Sequence, residues 1–436
     1  MHAIHRSLLQ DPVPAVRGEG VYVIDKDGNR FLDGSGGAAV SCLGHSNAHV
    51  IKAIQQQVAT LPYAHTSFFT TDVLERLAEK LVGKAPGMAK VMLLSGGSEA
   101  TEAALKLSRQ YFVETGQPER KYFIARKQSY HGNTQGALGV GGNEWRRRMF
   151  APLLTQGHYI SPCFEYREKR DDESREDYGQ RVANELETKI LELGRENVAG
   201  FVAETVVGAT AGAVAPVPGY FRRIREICDQ YGVHLILDEV MCGTGRTGTF
   251  MAYEQEGIAP DIVMLAKGLA AGYQPVGAVL CRDYVTDAIR NGSGFFQHGH
   301  TFMGHATALA ASLATLEIIE QEDLLANVRT RGESLLATLR DRLADHPNVG
   351  DVRGRGLFIG IEFVQDRPAK TPFDPALKTH NRVQKNAMNE GLMVYGMGGT
   401  IDGRLGDHLL IAPPYIIEEQ HEQELVDKLT VAINGL

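Results

Sequence analysis

Short apolar runs alternate with stretches of helical spacing along most of this chain, and this alternation restricts the possible folds more than any other feature. Strand-like runs follow one another at 91–94, 121–125, 200–203, 233–237, 262–265 and 276–280. Most of them are separated by segments whose apolar residues recur with the period of a helix. Alternating strands and helices are typical of a mostly parallel sheet that helices cover on both faces. We therefore predict an α/β protein built around such a sheet.

The remainder of the chain predicts a smaller α+β unit. Its predicted elements are helices over 306–319 and 324–343, a strand–turn–strand unit over 349–363, a helix over 378–390, a strand over 392–395 and a helix over 418–434. A hairpin is predicted over 21–33 because Asp27-Gly28 is a strong turn signal, and we expect it to pack with this unit. The predicted division is a segment over 1–49 that packs with the small domain, a large domain over 50–320 and a small domain over 321–436.

Composition limits the binding partners and the cellular compartment that we expect for this chain. The chain of 436 residues carries a formal net charge of −8, which argues against a nucleic-acid-binding protein. Its five cysteines form no CxxC pair and no metal-ligand spacing, and scattered cysteines are typical of reduced thiols. The amino terminus lacks the apolar core of a signal peptide, and no stretch approaches the roughly 20 apolar residues of a membrane helix. We expect a cytoplasmic protein without a metal, nucleic-acid or membrane partner.

Two polar residues end neighbouring strand-like runs. Asp238 follows the apolar run 233–237, and Lys267 follows the run 262–265 after one alanine. Pyridoxal phosphate needs an amine to hold its aldehyde and a carboxylate to keep its ring nitrogen protonated. Lys267 is therefore the candidate catalytic residue, which binds the cofactor and transfers a proton at the substrate carbon. The structural alternatives are a solvated lysine and an aspartate that caps a helix or stabilises a loop.

Two further segments suit the same cofactor. The stretch Ser95-Gly-Gly-Ser98 joins a strand to a helix, and the free N–H groups at a helix start bind anions, so Gly97 and Ser98 are candidate phosphate contacts. The alternative is an ordinary helix start capped by Ser98. Tyr130 is a candidate to lie flat on the cofactor ring, or else a packed core tyrosine. Val240 lies two residues after Asp238, on the same side, and is a candidate to cover the other ring face.

Together these motifs resemble the class III aminotransferases, the ω-aminotransferase family of fold type I pyridoxal phosphate enzymes. The motifs that carry the resemblance are Gly-Ser-Glu-Ala from Gly97, Tyr-His-Gly from Tyr130, Asp-Glu-Val-x-x-Gly-x-Gly-Arg-Thr-Gly from Asp238, Ala-Lys-Gly around Lys267, His-Gly-His-Thr-Phe-x-Gly-His from His298, Gly-Arg-Gly-Leu from Gly354 and Ala-Pro-Pro from Ala412. The resemblance covers nearly the whole chain.

The resemblance implies a large domain with a mostly parallel seven-stranded sheet between helices, and a smaller α+β domain. It implies a homodimer with shared active sites, and it leaves open whether dimers pair into tetramers. By this resemblance, Lys267 would form the internal aldimine, and Asp238, supported by His131, would contact the pyridinium nitrogen. Tyr130 and Val240 would contact the two ring faces. Gly97, Ser98 and the neighbouring subunit's Thr301 would bind the phosphate.

Departures from the family pattern bear on the substrate. Ornithine- and γ-aminobutyrate-type members carry a glutamate where this chain has Ala209 or Thr210, and an arginine before the final Pro-Pro, where this chain has only apolar residues. Arg404 resembles the mobile arginine that binds a carboxylate in amine:pyruvate-type members; the alternative is a surface arginine. Small residues stand where relatives place an aromatic one, so we expect Tyr63 and Phe68 to supply the pocket wall, across the dimer.

These observations predict a pyridoxal 5'-phosphate-dependent transaminase. It would move an amino group from a primary amine or ω-amino acid to a small 2-oxo acid, with pyruvate as the expected acceptor, in ping-pong half-reactions. A racemase, an aminomutase or a decarboxylating aminotransferase of the same fold shares these motifs and remains an alternative. A non-catalytic binding protein is the third hypothesis, which the intact Lys267 and Asp238 disfavour.

Overall fold

The computed structural model describes residues 2–9 and 11–436. In this part of the chain the strands are β1 (Ala15–Glu19), β2 (Tyr22–Asp25), β3 (Arg30–Asp33), β4 (Lys90–Leu94), β5 (Tyr122–Arg126), β6 (His158–Ile160), β7 (Val198–Glu204), β8 (His234–Asp238), β9 (Ile262–Leu265), β10 (Gly277–Cys281), β11 (Val349–Gly354), β12 (Ile359–Phe363), β13 (Leu392–Met393), β14 (Tyr395–Gly398) and β15 (Asp407–Ile411).

The α-helices connect the strands and pack against the three sheets. They are α1 (Gly36–Ala39), α2 (Ala48–Thr60), α3 (Asp72–Lys84), α4 (Gly97–Glu114), α5 (Gln135–Val140), α6 (Glu144–Arg147), α7 (Glu165–Glu168), α8 (Arg175–Leu193), α9 (Tyr220–Tyr231), α10 (Asp283–Asn291), α11 (Ala306–Gln321), α12 (Leu324–Arg342), α13 (Thr379–Asn389) and α14 (Glu419–Asn434). None of these helices is both long and apolar enough to cross a membrane.

The central sheet confirms the predicted α/β architecture. Among the described residues it has seven strands in the order β4-β10-β9-β8-β7-β5-β6. Only β10 runs antiparallel to its neighbours, β4 and β9. Every residue of β7, β8, β9 and β10 is buried, as expected for strands that helices cover on both faces. The hydrophobic effect of this burial fixes the position of the sheet in the core.

Several short strands differ from the sequence prediction. The edge strand β6 was not predicted, because its three residues are too few to show a period. The strand β15 was not predicted either, because its five buried residues begin with Asp407 and His408, which hide the apolar pattern. The single strand predicted over 392–395 is wrong: β13 and β14 lie in different sheets on either side of Val394.

The amino-terminal hairpin joins the carboxyl-terminal part of the chain. β1, β2, β3 and β13 form one sheet, in which Leu392 of β13 pairs with Leu32 of β3. A second sheet has the order β11-β12-β15-β14 and is antiparallel throughout. These pairings agree with the expected packing of the hairpin; the division at residues 49 and 320 stays a prediction.

The topology brings the carboxyl ends of six strands to one edge of the central sheet, and five of them precede loops with candidate residues. β5, β7, β8 and β9 are parallel, and β4 points the same way as β9 because both are antiparallel to β10. Ligand sites of open α/β sheets lie at this edge. The loops that follow these five strands carry most of the candidate residues.

Candidate active site

A cavity of about 470 Å³ opens at the carboxyl edge of the central sheet. Its walls come from the ends of β4, β7, β8 and β9 and from the loops that follow them. The structure brings together seven sequence-predicted residues in the lining of this cavity, namely Gly97, Ser98, Tyr130, His131, Asp238, Val240 and Lys267. These residues are far apart in the chain, and only the order of the parallel strands makes them neighbours.

Lys267 lies just beyond the end of β9 and lines the cavity. Its backbone has a φ of 48°, a left-handed conformation that is uncommon for a residue with a β-carbon and is often found at functional sites. Burial lowers the pKa of the Lys267 amine, and the negative charge of Asp238 opposes this shift without cancelling it. A lowered pKa favours the neutral, nucleophilic form of the amine.

Asp238 ends β8 and is held on both of its carboxylate oxygens. His131 Nδ1 lies 2.8 Å from Asp238 Oδ2, and the backbone N–H of Val240 donates to Oδ1 over 2.9 Å. Burial alone would lower the pKa of His131, but the charge of Glu204 and the bond to Asp238 outweigh it and raise that pKa. His131 therefore favours its protonated form, which donates to Asp238. Turns follow Asp238, so the helix-cap alternative is wrong.

The start of α4 forms an anion site at the edge of the cavity. The cap residue is Gly96, and no side chain caps the helix, so its first N–H groups are free for a ligand. The alternative in which Ser98 caps this helix is therefore wrong: Ser98 Oγ accepts a hydrogen bond from the backbone N–H of Asn133 over 3.0 Å. A β-carbon on Gly97 would lie only 3.1 Å from Val240 Cγ1, so this wall is closely packed.

Tyr130 lines the cavity and is fixed by a buried carboxylate that the sequence prediction did not assign. Its backbone N–H donates to Glu204 Oε1 over 2.9 Å, and Glu204 Oε2 lies 3.5 Å from Arg126 Nη2. Glu204 ends β7 as Asp238 ends β8, so the same strand-end pattern was the available signal. The guanidinium carbon of Arg146 lies 4.3 Å from the centre of the Tyr130 ring; no sequence motif indicated this contact.

Three predicted residues lie outside the cavity, on one surface. Tyr63 Oη donates to the backbone carbonyl of Thr301 over 2.6 Å, and Phe68 is 78% exposed. Thr301 is also exposed. All three were expected to act across a dimer, and a surface position is compatible with that expectation. Their roles stay predictions.

Ala209 and Arg404, two residues predicted to bear on substrate choice, lie in different places. Ala209 lines the cavity, and its carbonyl accepts a hydrogen bond from His408 Nε2 over 2.9 Å. Arg404 is exposed in the loop 399–406, which joins β14 to β15, and is not among the described residues that line the cavity. The same loop packs against α6, because a β-carbon on Gly403 would lie 2.9 Å from the backbone nitrogen of Trp145.

The residues present fit pyridoxal phosphate. The uncapped start of α4 suits its phosphate, the amine of Lys267 suits its aldehyde, and the carboxylate of Asp238 suits its ring nitrogen. Tyr130 and Val240 line the same cavity and can supply an aromatic and an apolar contact to the cofactor ring.

Comparisons with known proteins agree with this geometry. Residues 4–433 match the profile of the family described as aminotransferase class-III. An aminotransferase of Gibberella zeae is 43% identical over 436 residues, which cover 99% of this chain and 85% of that protein. A taurine–pyruvate aminotransferase of Bilophila wadsworthia is 35% identical, over 95% of this chain and 91% of that protein.

A solved amine transaminase from an uncultivated Pseudomonas species, crystallised in its pyridoxal phosphate-bound form, superposes with a TM-score of 0.92. It is 36% identical, and the match covers 100% of this chain and 98% of that one. The chain therefore belongs to the class III aminotransferases, which are enzymes that use pyridoxal 5'-phosphate.

Proposed function

We propose that this enzyme moves an amino group from a primary amine or ω-amino acid to a small 2-oxo acid, with pyruvate as the acceptor. The observation that carries the proposal is the shared cavity of Lys267 and Asp238, in which Val206, Gly208, Ala209 and Met241 contribute a further part of the wall. This wall is apolar and carries no charge, so it suits a donor whose amino group is distant from any carboxylate.

Lys267 is the proposed catalytic residue. Bound pyridoxal phosphate supplies an electron sink for the substrate carbon. The Nζ atom of Lys267, with its lowered pKa, takes the proton from the substrate carbon that carries the amino group and returns it at the cofactor side.

The remaining residues bind and orient the cofactor. Asp238 binds the ring nitrogen, and His131 keeps its carboxylate in place through the 2.8 Å contact. Gly97 and Ser98, at the uncapped start of α4, would hold the phosphate, and Tyr130 and Val240 would hold the ring. Thr301 of a second copy completes the phosphate site, so the active unit is a homodimer, with or without further pairing into a tetramer.

The small number of basic side chains in the cavity bears on which 2-oxo acid accepts the amino group. Lys267 is the only basic side chain other than histidine among the described residues that line the cavity. Apart from Lys267, which reacts with the cofactor, no lysine or arginine of this lining could pair with a second carboxylate of the acceptor, which favours a monocarboxylate such as pyruvate over a dicarboxylate. All five cysteines are free and buried, which supports the proposed cytoplasmic location.

The proposal is tested by spectroscopy of the two half-reactions. We expect an amine donor to bleach the absorbance of the enzyme-bound cofactor, and pyruvate to restore it. A panel of primary amines, ω-amino acids and 2-aminoethanesulfonate, each with pyruvate or 2-oxoglutarate, then ranks donors and acceptors by kcat/KM. If no donor bleaches the cofactor, the enzyme is not a transaminase of these substrates.

The same preparation separates the alternative reactions. A racemase or an aminomutase turns over without any 2-oxo acid, so product analysis in its absence distinguishes it from a transaminase. Release of carbon dioxide identifies a decarboxylating aminotransferase. We expect neither turnover without an acceptor nor carbon dioxide.

A further inference from the structure

Arg146 is a cation near the cavity that the described residues leave without an acceptor. It lies in α6, and its guanidinium carbon is 4.3 Å from the centre of the Tyr130 ring. Its Nε atom is buried and has no hydrogen-bond partner among the residues that the structure describes. The next residue differs: Arg147 Nε donates to the carbonyl of Leu138 over 3.3 Å.

A buried guanidinium nitrogen without an acceptor, such as Arg146 Nε, is unfavourable, because it loses water and gains no bond in return. An anionic ligand removes this cost, and the planar guanidinium matches a carboxylate with two parallel hydrogen bonds. Stacking on Tyr130 fixes the plane of the Arg146 side chain beforehand, so little side-chain entropy is lost when a ligand binds.

The position of Arg146 is also suitable for a substrate that reacts at Lys267. Tyr130, on which it stacks, lines the same cavity as Lys267. Burial is the main cause that lowers the pKa of Lys267, and the positive charge of Arg146 acts in the same direction. The cation is therefore within electrostatic reach of the reacting amine. On its other side, α6 packs against the loop 399–406 at Gly403, so its position is fixed by tertiary contacts.

We propose that Arg146 binds the carboxylate of the 2-oxo acid acceptor, and that of the amino acid formed from it, beside Tyr130. This inference rests on the proposed function. Arg146 is half-buried and has a buried Nε without an acceptor among the described residues, whereas Arg404 is exposed to solvent. An uncharged amine donor has no group for Arg146 and does not depend on it.

The test compares Arg146→Gln with Arg404→Gln, which removes the rival candidate, and with a control, Arg148→Gln, which removes the charge of an exposed neighbour. We expect the KM for pyruvate to rise at least about tenfold in Arg146→Gln, as for the loss of a hydrogen-bonded charge. Its kcat, and the KM for an uncharged amine, should stay close to those of the unmodified enzyme. Arg146→Lys should be intermediate, because an ammonium cannot form the bidentate pair.

A binding assay makes the result independent of turnover. Propionate, an unreactive monocarboxylate, is titrated into each holoenzyme, and its Kd is read from the change in cofactor absorbance. We expect the Kd to rise at least about tenfold in Arg146→Gln only. An unchanged Kd in Arg146→Gln, or a rise in Arg404→Gln instead, overturns the inference. Failure of transamination in the unmodified enzyme would refute the proposed function, and the propionate titration would still decide the role of Arg146.

Discussion

His408 is buried beneath the loop 399–406, and we expect it to make the stability of this protein sensitive to mild acid. Its Nδ1 accepts a hydrogen bond from Thr400 Oγ1 over 2.7 Å, and its Nε2 donates to the carbonyl of Ala209 over 2.9 Å. Burial, together with the positive charge of Arg353, lowers the pKa of His408 to about 3. The folded protein therefore keeps this imidazole neutral.

The size of the effect follows from the difference in the pKa of His408 between the folded and unfolded states. The unfolded chain binds a proton at His408 with a pKa of about 6.5, whereas the folded protein does so only near 3. The contribution of His408 to stability is fully present above the pKa of this residue in the unfolded chain. It is lost as the pH falls toward the pKa of His408 in the folded protein, because only the unfolded state gains the proton. Between about pH 7.5 and about pH 5, the free energy of unfolding should fall by about 2 kcal/mol on account of His408.

The assay is urea unfolding of the enzyme and of His408→Gln at these two pH values, at one protein concentration. Glutamine donates to the Ala209 carbonyl but does not titrate. The unmodified enzyme should therefore lose about 2 kcal/mol more than His408→Gln on acidification. The control, His2→Gln, removes an exposed imidazole and should behave like the unmodified enzyme. Equal losses in the enzyme and in His408→Gln would refute the argument.

Further expectations concern the cofactor site. Lys267→Ala should abolish turnover by steady-state assay while circular dichroism stays unchanged, since no other basic side chain except histidine lines the cavity in the described residues. Gly97→Ala places a β-carbon 3.1 Å from Val240 and should weaken cofactor binding by about 1 to 3 kcal/mol in fluorescence titrations. Asp238→Asn removes the charge that faces His131 and should lower kcat at least about tenfold. The rate at which the apoenzyme captures the cofactor should increase with pH, because only the neutral Lys267 amine reacts. Burial lowers the pKa of Lys267, so the pH midpoint of this rate, measured by stopped flow, should lie below about 10.4, the ordinary pKa of lysine.

Much of the fold was predictable because apolar periodicity is a local property. The strand over 262–265 was predicted with the bounds of β9, and the helix predicted over 418–434 differs from α14 only at its first residue. The failures have physical reasons. β6 has three residues, too few for a period, and β15 carries Asp407 and His408 in a fully buried strand, where partners in the folded protein compensate their polarity.

The sequence by itself determined the cofactor chemistry of this protein. An amine and a carboxylate at the ends of neighbouring strands must meet at one edge of a parallel sheet, so the proximity of Lys267 and Asp238 follows from topology. The tertiary structure alone decided which charges are paired. Glu204 fixes Tyr130, His408 supports the wall at Ala209, and the Arg146 guanidinium has a buried atom without an acceptor among the described residues. Burial and hydrogen-bond partners depend on contacts between distant segments, and no local pattern in the chain records them.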